Sequence, residues 1–308
     1  MTKGIIILNK PEGLTSHDCV ARLRRKTGIK KIGHTGTLDP QATGVLPMCI
    51  GNATRMIEYL EFDQKTYFCE VTFGITTDTY DIWGTETVNL FNSEVALEQL
   101  SQEKISNELP NFRGEIDQRP PIYSAIRKNG KRLYEYARRG EEVEIPERRV
   151  TIYQLEMTEF DVELHKAKLL ITCSKGTYIR SICNDLGQAL GCGGVMSSLE
   201  RKSCGDMSIE DSVTLEEFEA SEDYRIFLKP MWYPLSGLGG IQGKLEDKND
   251  LIDGKKIAIE ENQIFRKPSN KEQEGIYGFL FEDELLAIGR LENYVFKPEK
   301  VFVKKESD

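Results

Sequence analysis

The chain has 308 residues, 39% of them hydrophobic, 30% charged and 9% aromatic, with a formal net charge of −9. At about 150 residues per domain this length predicts two domains, and the composition excludes collagen-like, coiled-coil and mucin-like architectures. No stretch reaches the roughly 18 apolar residues of a membrane helix, and the apolar run after the first residues, Gly4 to Leu8, is too short for a signal peptide. A cytoplasmic protein without a membrane partner is expected.

In chain order, residues 4–8 (GIIIL) read as a buried strand ended by the turn Lys10-Pro11-Glu12-Gly13. Ser16 is a predicted cap for a helix over 17–26 whose outer face carries Arg22, Arg24, Arg25 and Lys26. Residues 33–44, GHTGTLDPQATG, contain three glycines and an Asp-Pro pair and predict a loop. A strand over 45–50 and a short helix over 52–60 follow, and alternation of Tyr67, Cys69, Val71 and Phe73 predicts one face of a further strand. The acidic stretch 94–109 has helical apolar spacing and reads as an amphipathic surface helix.

From residue 112 the chain turns irregular through Arg119-Pro120-Pro121, with a short helix over 132–139 ended by Gly140. Residues 150–160 and 164–173 predict a strand pair, and 177–190 a helix with Ile179, Ile182, Cys183, Leu186 and Leu190 inward. A Pro and Gly-rich stretch over 230–243 marks the predicted boundary between domains at 1–232 and 233–308. In the second of these, 278–281 and 285–289 predict a hairpin of a small β-barrel.

The net charge hides an asymmetry. Residues 1–60 carry +5 and 61–112 carry −8; 113–150 carry +3, 151–204 are neutral, and 205–308 carry −9. Within 119–140, Arg119, Arg127, Lys128, Lys131, Arg132, Arg138 and Arg139 face only Glu135, so a basic arm over about 119–145 is a predicted polyanion footprint in an acidic protein. The seven cysteines are scattered without a Cys-x-x-Cys and read as reduced thiols. The three histidines lack a second ligand at metal spacing, so no metal is expected. The loop 33–44 follows neither nucleotide-binding glycine pattern. It offers one carboxylate, Asp39, whose backbone is restricted by Pro40; on pattern alone Asp39 reads as part of an Asp-Pro turn and His34 as a hydrogen-bonded structural residue.

The run from Gly33 to Pro47 resembles the signature loop of the TruB-type tRNA pseudouridine synthases. The resemblance extends through Asn9-Lys10-Pro11-Glu12-Gly13, Lys65-Thr66-Tyr67, Thr77-Asp78-Thr79-Tyr80-Asp81, Pro120-Pro121-Ile122-Tyr123-Ser124-Ala125 and Cys173-Ser174-Lys175-Gly176-Thr177-Tyr178-Ile179-Arg180. Gln41 departs from the leucine expected there. The resemblance implies an α+β fold, a mixed, mainly antiparallel sheet flanked by helices and loops. It also implies cofactor-free isomerisation of uridine 55 in the tRNA T loop, with base flipping. Asp39 would be the essential carboxylate, attacking ribose or base or abstracting a sugar proton. Tyr67 would stack on the uracil and carry the C5 proton, and Arg180 would pair with Asp39.

Lys10 would support the loop, Asp81 would contact the substrate, and Leu199 would flank the uracil. His34 would meet the RNA around the extruded nucleotide, and Arg138 and Arg139 would contact phosphates. The segments Leu251-Ile252-Asp253-Gly254-Lys255 and 295–302 resemble a PUA-type RNA-binding barrel, although a block charge of −9 suits packing better than phosphate binding. A monomer needing no protein partner is expected. The other readings are an RNA-binding or tRNA-folding module whose chemistry is secondary, and a guide-RNA-dependent relative of the family.

Overall fold

The apolar run after Lys3 forms β1 (Gly4–Lys10), buried along nearly its whole length, because it is covered on both faces rather than on one. The computed structural model describes residues 2–60, 64–90, 97–98, 100–269 and 272–304. Helix α1 (Ser16–Thr27) follows. Its cap is Thr15, one residue before the predicted Ser16: the Thr15 hydroxyl accepts from the Asp18 N–H and the Asp18 carboxylate accepts from the Thr15 N–H. Ser16 is thereby released for another task, described below. Gly28 at φ 69° closes the helix in the left-handed region.

Strands β2 (Ile32–His34) and β3 (Thr43–Ile50) come next. Both ends of the predicted loop are therefore strand. Gly33 and His34 pair with Cys49 and Met48, and Gly44 pairs with Lys10, so pairing to distant strands overrides the local turn composition. A 3₁₀ turn over Gly51–Tyr59 precedes β4 (Gln64–Phe73), β5 (Ile75–Thr77) and β6 (Glu86–Asn89).

Of the predicted acidic helix, α2 (Gln102–Glu108) and Leu97 are helical and Leu109 opens a 3₁₀ turn; residues 94–96 and 99 lie outside the described residues. Then follow β7 (Gly114–Gln118), β8 (Arg127–Lys128), β9 (Lys131–Arg132) and α3 (Leu133–Arg139). Strands β10 (Arg148–Asp161) and β11 (Lys166–Ser174), helix α4 (Ile179–Ala189) and β12 (Gly194–Cys204) continue the chain.

The contacts divide the chain into two compact units, one of residues 1–40, 44–62 and 204–308, the other of 41–43 and 63–203. In the first, β1 lies antiparallel to β3 from Gly4↔Ile50 to Lys10↔Gly44. After β13 (Met207–Ser208), β14 (Val213–Thr214) pairs parallel to β1, which makes the sheet mixed. Helix α5 (Leu215–Ala220) follows directly, and its Glu219 takes up the basic face of α1: Arg22 Nε donates to it at 2.6 Å and Lys26 Nζ to its carbonyl at 2.7 Å.

The C-terminal strands are β15 (Gly239–Gln242), then, after α6 (Asp247–Ile252), β16 (Ile257–Ala258), β17 (Ile264–Arg266), β18 (Gly275–Phe281), β19 (Glu284–Glu292) and β20 (Val295–Val301). They form a six-stranded sheet in the order β16-β20-β19-β18-β15-β17. The predicted hairpin is β18–β19, turning at Glu282 with φ 51°. Leu280, Leu285, Ile288 and Phe302 share one core with Ile5, Ile7, Val45 and Met56. At its rim, Arg55 donates to the Val301 carbonyl at 2.6 Å and Lys300 pairs with Glu58 at 2.8 Å.

The second unit is built on the strand order β12-β4-β11-β10-β7. Strand β11 runs antiparallel to β4 over nine pairs, from Lys166↔Thr72 to Ser174↔Gln64. Tyr67, Cys69, Val71 and Phe73 are buried as their alternation predicts, as are Ile179, Ile182, Cys183 and Leu186 of α4. Helix α4 ends against the turn into β12, where the backbone of Gly193 and Gly194 approaches so closely that a Cβ on Gly187 would overlap it. Gly187→Ala is expected to destabilise the protein by about 2–3 kcal/mol through this overpacking, read as a lower urea midpoint at unchanged slope.

Candidate active site

Asp39 is held by its neighbours. Ser16, buried at the start of α1, accepts from the Leu38 N–H at 2.9 Å and donates to the Leu38 carbonyl at 3.1 Å. On the other side the Pro40 carbonyl accepts from the Gly13 N–H at 2.9 Å and from Lys10 Nζ at 2.8 Å. Both residues flanking Asp39 are thus pinned, and Pro40 restricts the backbone of Asp39 itself. Asp39 is half-buried.

Lys10 is fully buried at the end of β1. Its ammonium donates to three carbonyls, Pro11 at 2.8 Å, Leu14 at 2.6 Å and Pro40 at 2.8 Å, which uses all its protons. Burial pushes the Lys10 amine below its ordinary value of 10.5, while nearby negative groups, Asp39 among them, oppose the shift. His34, on β2, stands edge-on to the ring of His17 with centroids 6.4 Å apart.

Arg180, in the first turn of α4, is buried, with 8% of its side chain exposed, and Asp81 is half-buried, with 14% exposed. Arg180 Nη1 donates to Asp81 Oδ2 at 3.3 Å and to the Thr79 carbonyl at 3.1 Å, and Nη2 donates to the Tyr123 carbonyl at 3.1 Å. The Asp81 carboxylate also accepts from the Thr79 hydroxyl at 2.8 Å. Tyr80 adopts φ 62°, a conformation costly for a non-glycine residue. Two bonds to β12 hold it there: the Met196 N–H donates to the Tyr80 carbonyl at 3.0 Å, and the Ile82 N–H to the Met196 carbonyl at 2.9 Å. The resemblance paired Arg180 with Asp39 and gave Asp81 to the substrate; within its own unit, Arg180 has Asp81 as a carboxylate partner.

Tyr67 is buried on β4 opposite Ile171, and Leu199 is buried on β12, the strand beside β4. The arm carries Arg138 and Arg139 at the exposed end of α3. Arg138 stacks over the Tyr134 ring at 5.4 Å, and Arg139 lies 3.7 Å from Glu141. Leu133 and Tyr136 anchor the helix inward. Sequence reasoning missed Ser16 as the Leu38 clamp, Thr79 as a partner of Asp81, and Gln118 and Arg201, both buried polar side chains. None carries a local signal, because a Ser, Thr, Gln or Arg reads as surface until its partners are known. Among the described residues, no group of three or more His, Cys, Asp or Glu is placed to hold a metal ion.

The chain matches the family model for TruB family pseudouridylate synthase (N terminal domain) over residues 24–179 and that for tRNA pseudouridylate synthase B C-terminal domain over 180–236. It is 40% identical over 300 residues to the tRNA pseudouridine synthase B of Clostridium kluyveri, covering 97% of this chain and 99% of that one. It is 45% identical over 256 residues to the corresponding protein of Alkaliphilus oremlandii, covering 82% of each. Among solved structures, that of an H/ACA RNP bound to a substrate RNA containing 2′-deoxyuridine superposes with a TM-score of 0.73 at 24% identity, over 98% of this chain and 86% of that one. It has the same fold.

Replacing Lys10 by Met is expected to cost about 3 kcal/mol in urea denaturation, since three carbonyls lose a charged donor. The pH dependence has a definite sign. As pH rises toward 10.5, the folded chain sheds the Lys10 proton before the unfolded chain does, so wild type gains stability relative to Lys10→Met in that interval. Parallel denaturation series in alkaline buffers measure it.

Proposed function

The chain belongs to the TruB family of pseudouridylate synthases, and on that premise we propose that it isomerises uridine 55 in the T loop of tRNA, with Asp39 as the essential carboxylate. The observation that carries this reading is the clamp on Asp39: Ser16 and Lys10 fix both flanking residues, and Asp39 itself is half-buried. A group held in this way loses little freedom when it meets a substrate. In the reaction the N1–C1′ bond breaks, the uracil turns, and a C5–C1′ bond forms. C5 loses a proton and N1 gains one, so atoms and electrons balance without an oxidant or reductant.

The target base leaves its stack at a cost of a few kcal/mol. Stacking on Tyr67 returns about 1–3 kcal/mol, and phosphate contacts from the arm return more. Tyr67 carries the C5 proton and Leu199 flanks the uracil. Arg180 stabilises negative charge at the reacting centre, with Asp81 holding it in place beside the substrate, and His34 meets the RNA next to the flipped nucleotide. Residues 1–232 carry the chemistry, and 233–308 form a PUA-like domain whose strands complete the core around β1 and β3. The protein works as a cytoplasmic monomer on free tRNA, without a guide RNA.

Asp39→Asn is expected to lower turnover by about 10³-fold or more while tRNA affinity changes less than about 3-fold, measured by pseudouridine mapping and filter binding with unmodified tRNA. Undiminished turnover would instead remove Asp39 as the essential carboxylate. Neutralising Arg138 and Arg139 together is expected to flatten the slope of log affinity against log salt by about 1.4–1.8; an unchanged slope would remove these residues from the RNA surface.

A further inference from the structure

Gln118, the last residue of β7, is a buried amide with 2% exposure at the point where the basic arm begins. Its side chain engages one residue twice. Nε2 donates to the Tyr178 carbonyl at 3.0 Å, and Oε1 accepts from the Tyr178 N–H at 2.8 Å. The amide thus serves Tyr178 as a neighbouring strand would, satisfying both of its backbone groups. Tyr178 is the cap residue of α4 and has no side-chain cap of its own, so Gln118 fixes the backbone from which Arg180 departs two residues later.

The adjoining residues repeat the connection. Ser181 Oγ donates to the Arg119 carbonyl at 2.9 Å, and Arg180 Nη2 donates to the Tyr123 carbonyl at 3.1 Å. The root of the arm is therefore fastened to the first turn of α4 at residues 118, 119 and 123. On its other edge the guanidinium is held by Thr79 and Asp81. One of these three acceptors of Arg180, the Tyr123 carbonyl, comes from the segment that also carries Arg138 and Arg139.

We infer that Gln118 is a positioning residue for Arg180: it ties the first turn of α4 to the root of the basic arm and so sets the aim of the arginine. This rests on the reading of Arg180 as catalytic. Gln118 itself touches no reacting atom: it acts on the chemical step through the arginine, and not on the affinity for tRNA. The fork of Arg180 needs its carbonyl acceptors at fixed places, so a displaced α4 start misdirects it.

The test is a double-mutant cycle in single-turnover assays on unmodified tRNA, using Gln118→Leu, the isosteric Gln118→Glu, Arg180→Lys and Arg180→Ala. Gln118→Glu keeps the volume and, ionised, replaces the donor to the Tyr178 carbonyl by an acceptor, and a urea midpoint for each variant separates loss of fold from loss of aim. The expected result is a single-turnover rate about 10–100-fold lower for both Gln118 variants, tRNA affinity unchanged within about 2-fold, and no further loss when Gln118→Glu is added to Arg180→Lys. A loss of equal size in the Arg180→Lys background, or weaker tRNA binding at an unchanged rate, overturns the coupling. Arg180→Ala at full rate overturns the catalytic reading of Arg180 and the coupling with it. A fully active Gln118→Glu beside an inactive Arg180→Ala overturns the coupling alone.

Discussion

A guanidinium cannot give up its proton, so burying Arg180 obliges the surrounding chain to supply acceptors in the plane of its fork. Leaving such a charge uncompensated would cost several kcal/mol. Two separate segments meet this demand: the turn at Thr79 to Asp81 and the arm root at Tyr123. Each must be in place for the other to be stable. The left-handed Tyr80 is tolerated for the same reason, since its two neighbouring bonds to Met196 hold Asp81 where the arginine needs it. Electrostatic necessity thus organises the second unit around one side chain.

Lys10 solves a related problem in the first unit by a different geometry. An ammonium is a compact point charge with three donors, and it gathers the carbonyls of Pro11, Leu14 and Pro40 about itself. The result ties the turn after β1 to the loop after β2. Asp39 lies between residues that are held by Ser16 and Lys10. Rigidity is placed in the neighbours of Asp39.

The distribution of cations follows a division of labour. On α1, Arg22, Arg25 and Lys26 look from their spacing like a basic surface face, but Glu219 and the end of α5 take them up. On the arm, Arg132 and Arg138 lie over Tyr134 instead, at 5.8 and 5.4 Å. Stacking orients a cation without neutralising it. Arg138 therefore keeps its charge available to an anionic partner, whereas Arg22 has given its charge to the fold. An average of −9 says nothing about this difference.

Sequence determined what depends on neighbours in the chain. Alternation placed Tyr67, Cys69, Val71 and Phe73 on one buried face, helical spacing set the inward side of α4, Gly140 ended α3, and the motif around Asp39 identified the family and the candidate carboxylate. Tertiary structure decided what depends on residues far apart. Only strand pairing turned Gly33 and His34 from loop into β2, and only packing made Ser16 a clamp for Leu38 rather than a helix cap. Strand β12, with charged residues at Glu200, Arg201 and Lys202, shows no clean period, because its burial is set by β4 beside it. The pairs Arg180 with Asp81 and Gln118 with Tyr178 join positions 99 and 60 residues apart. A hydrogen bond has no signature in the sequence until folding brings donor and acceptor within 3 Å or so of each other.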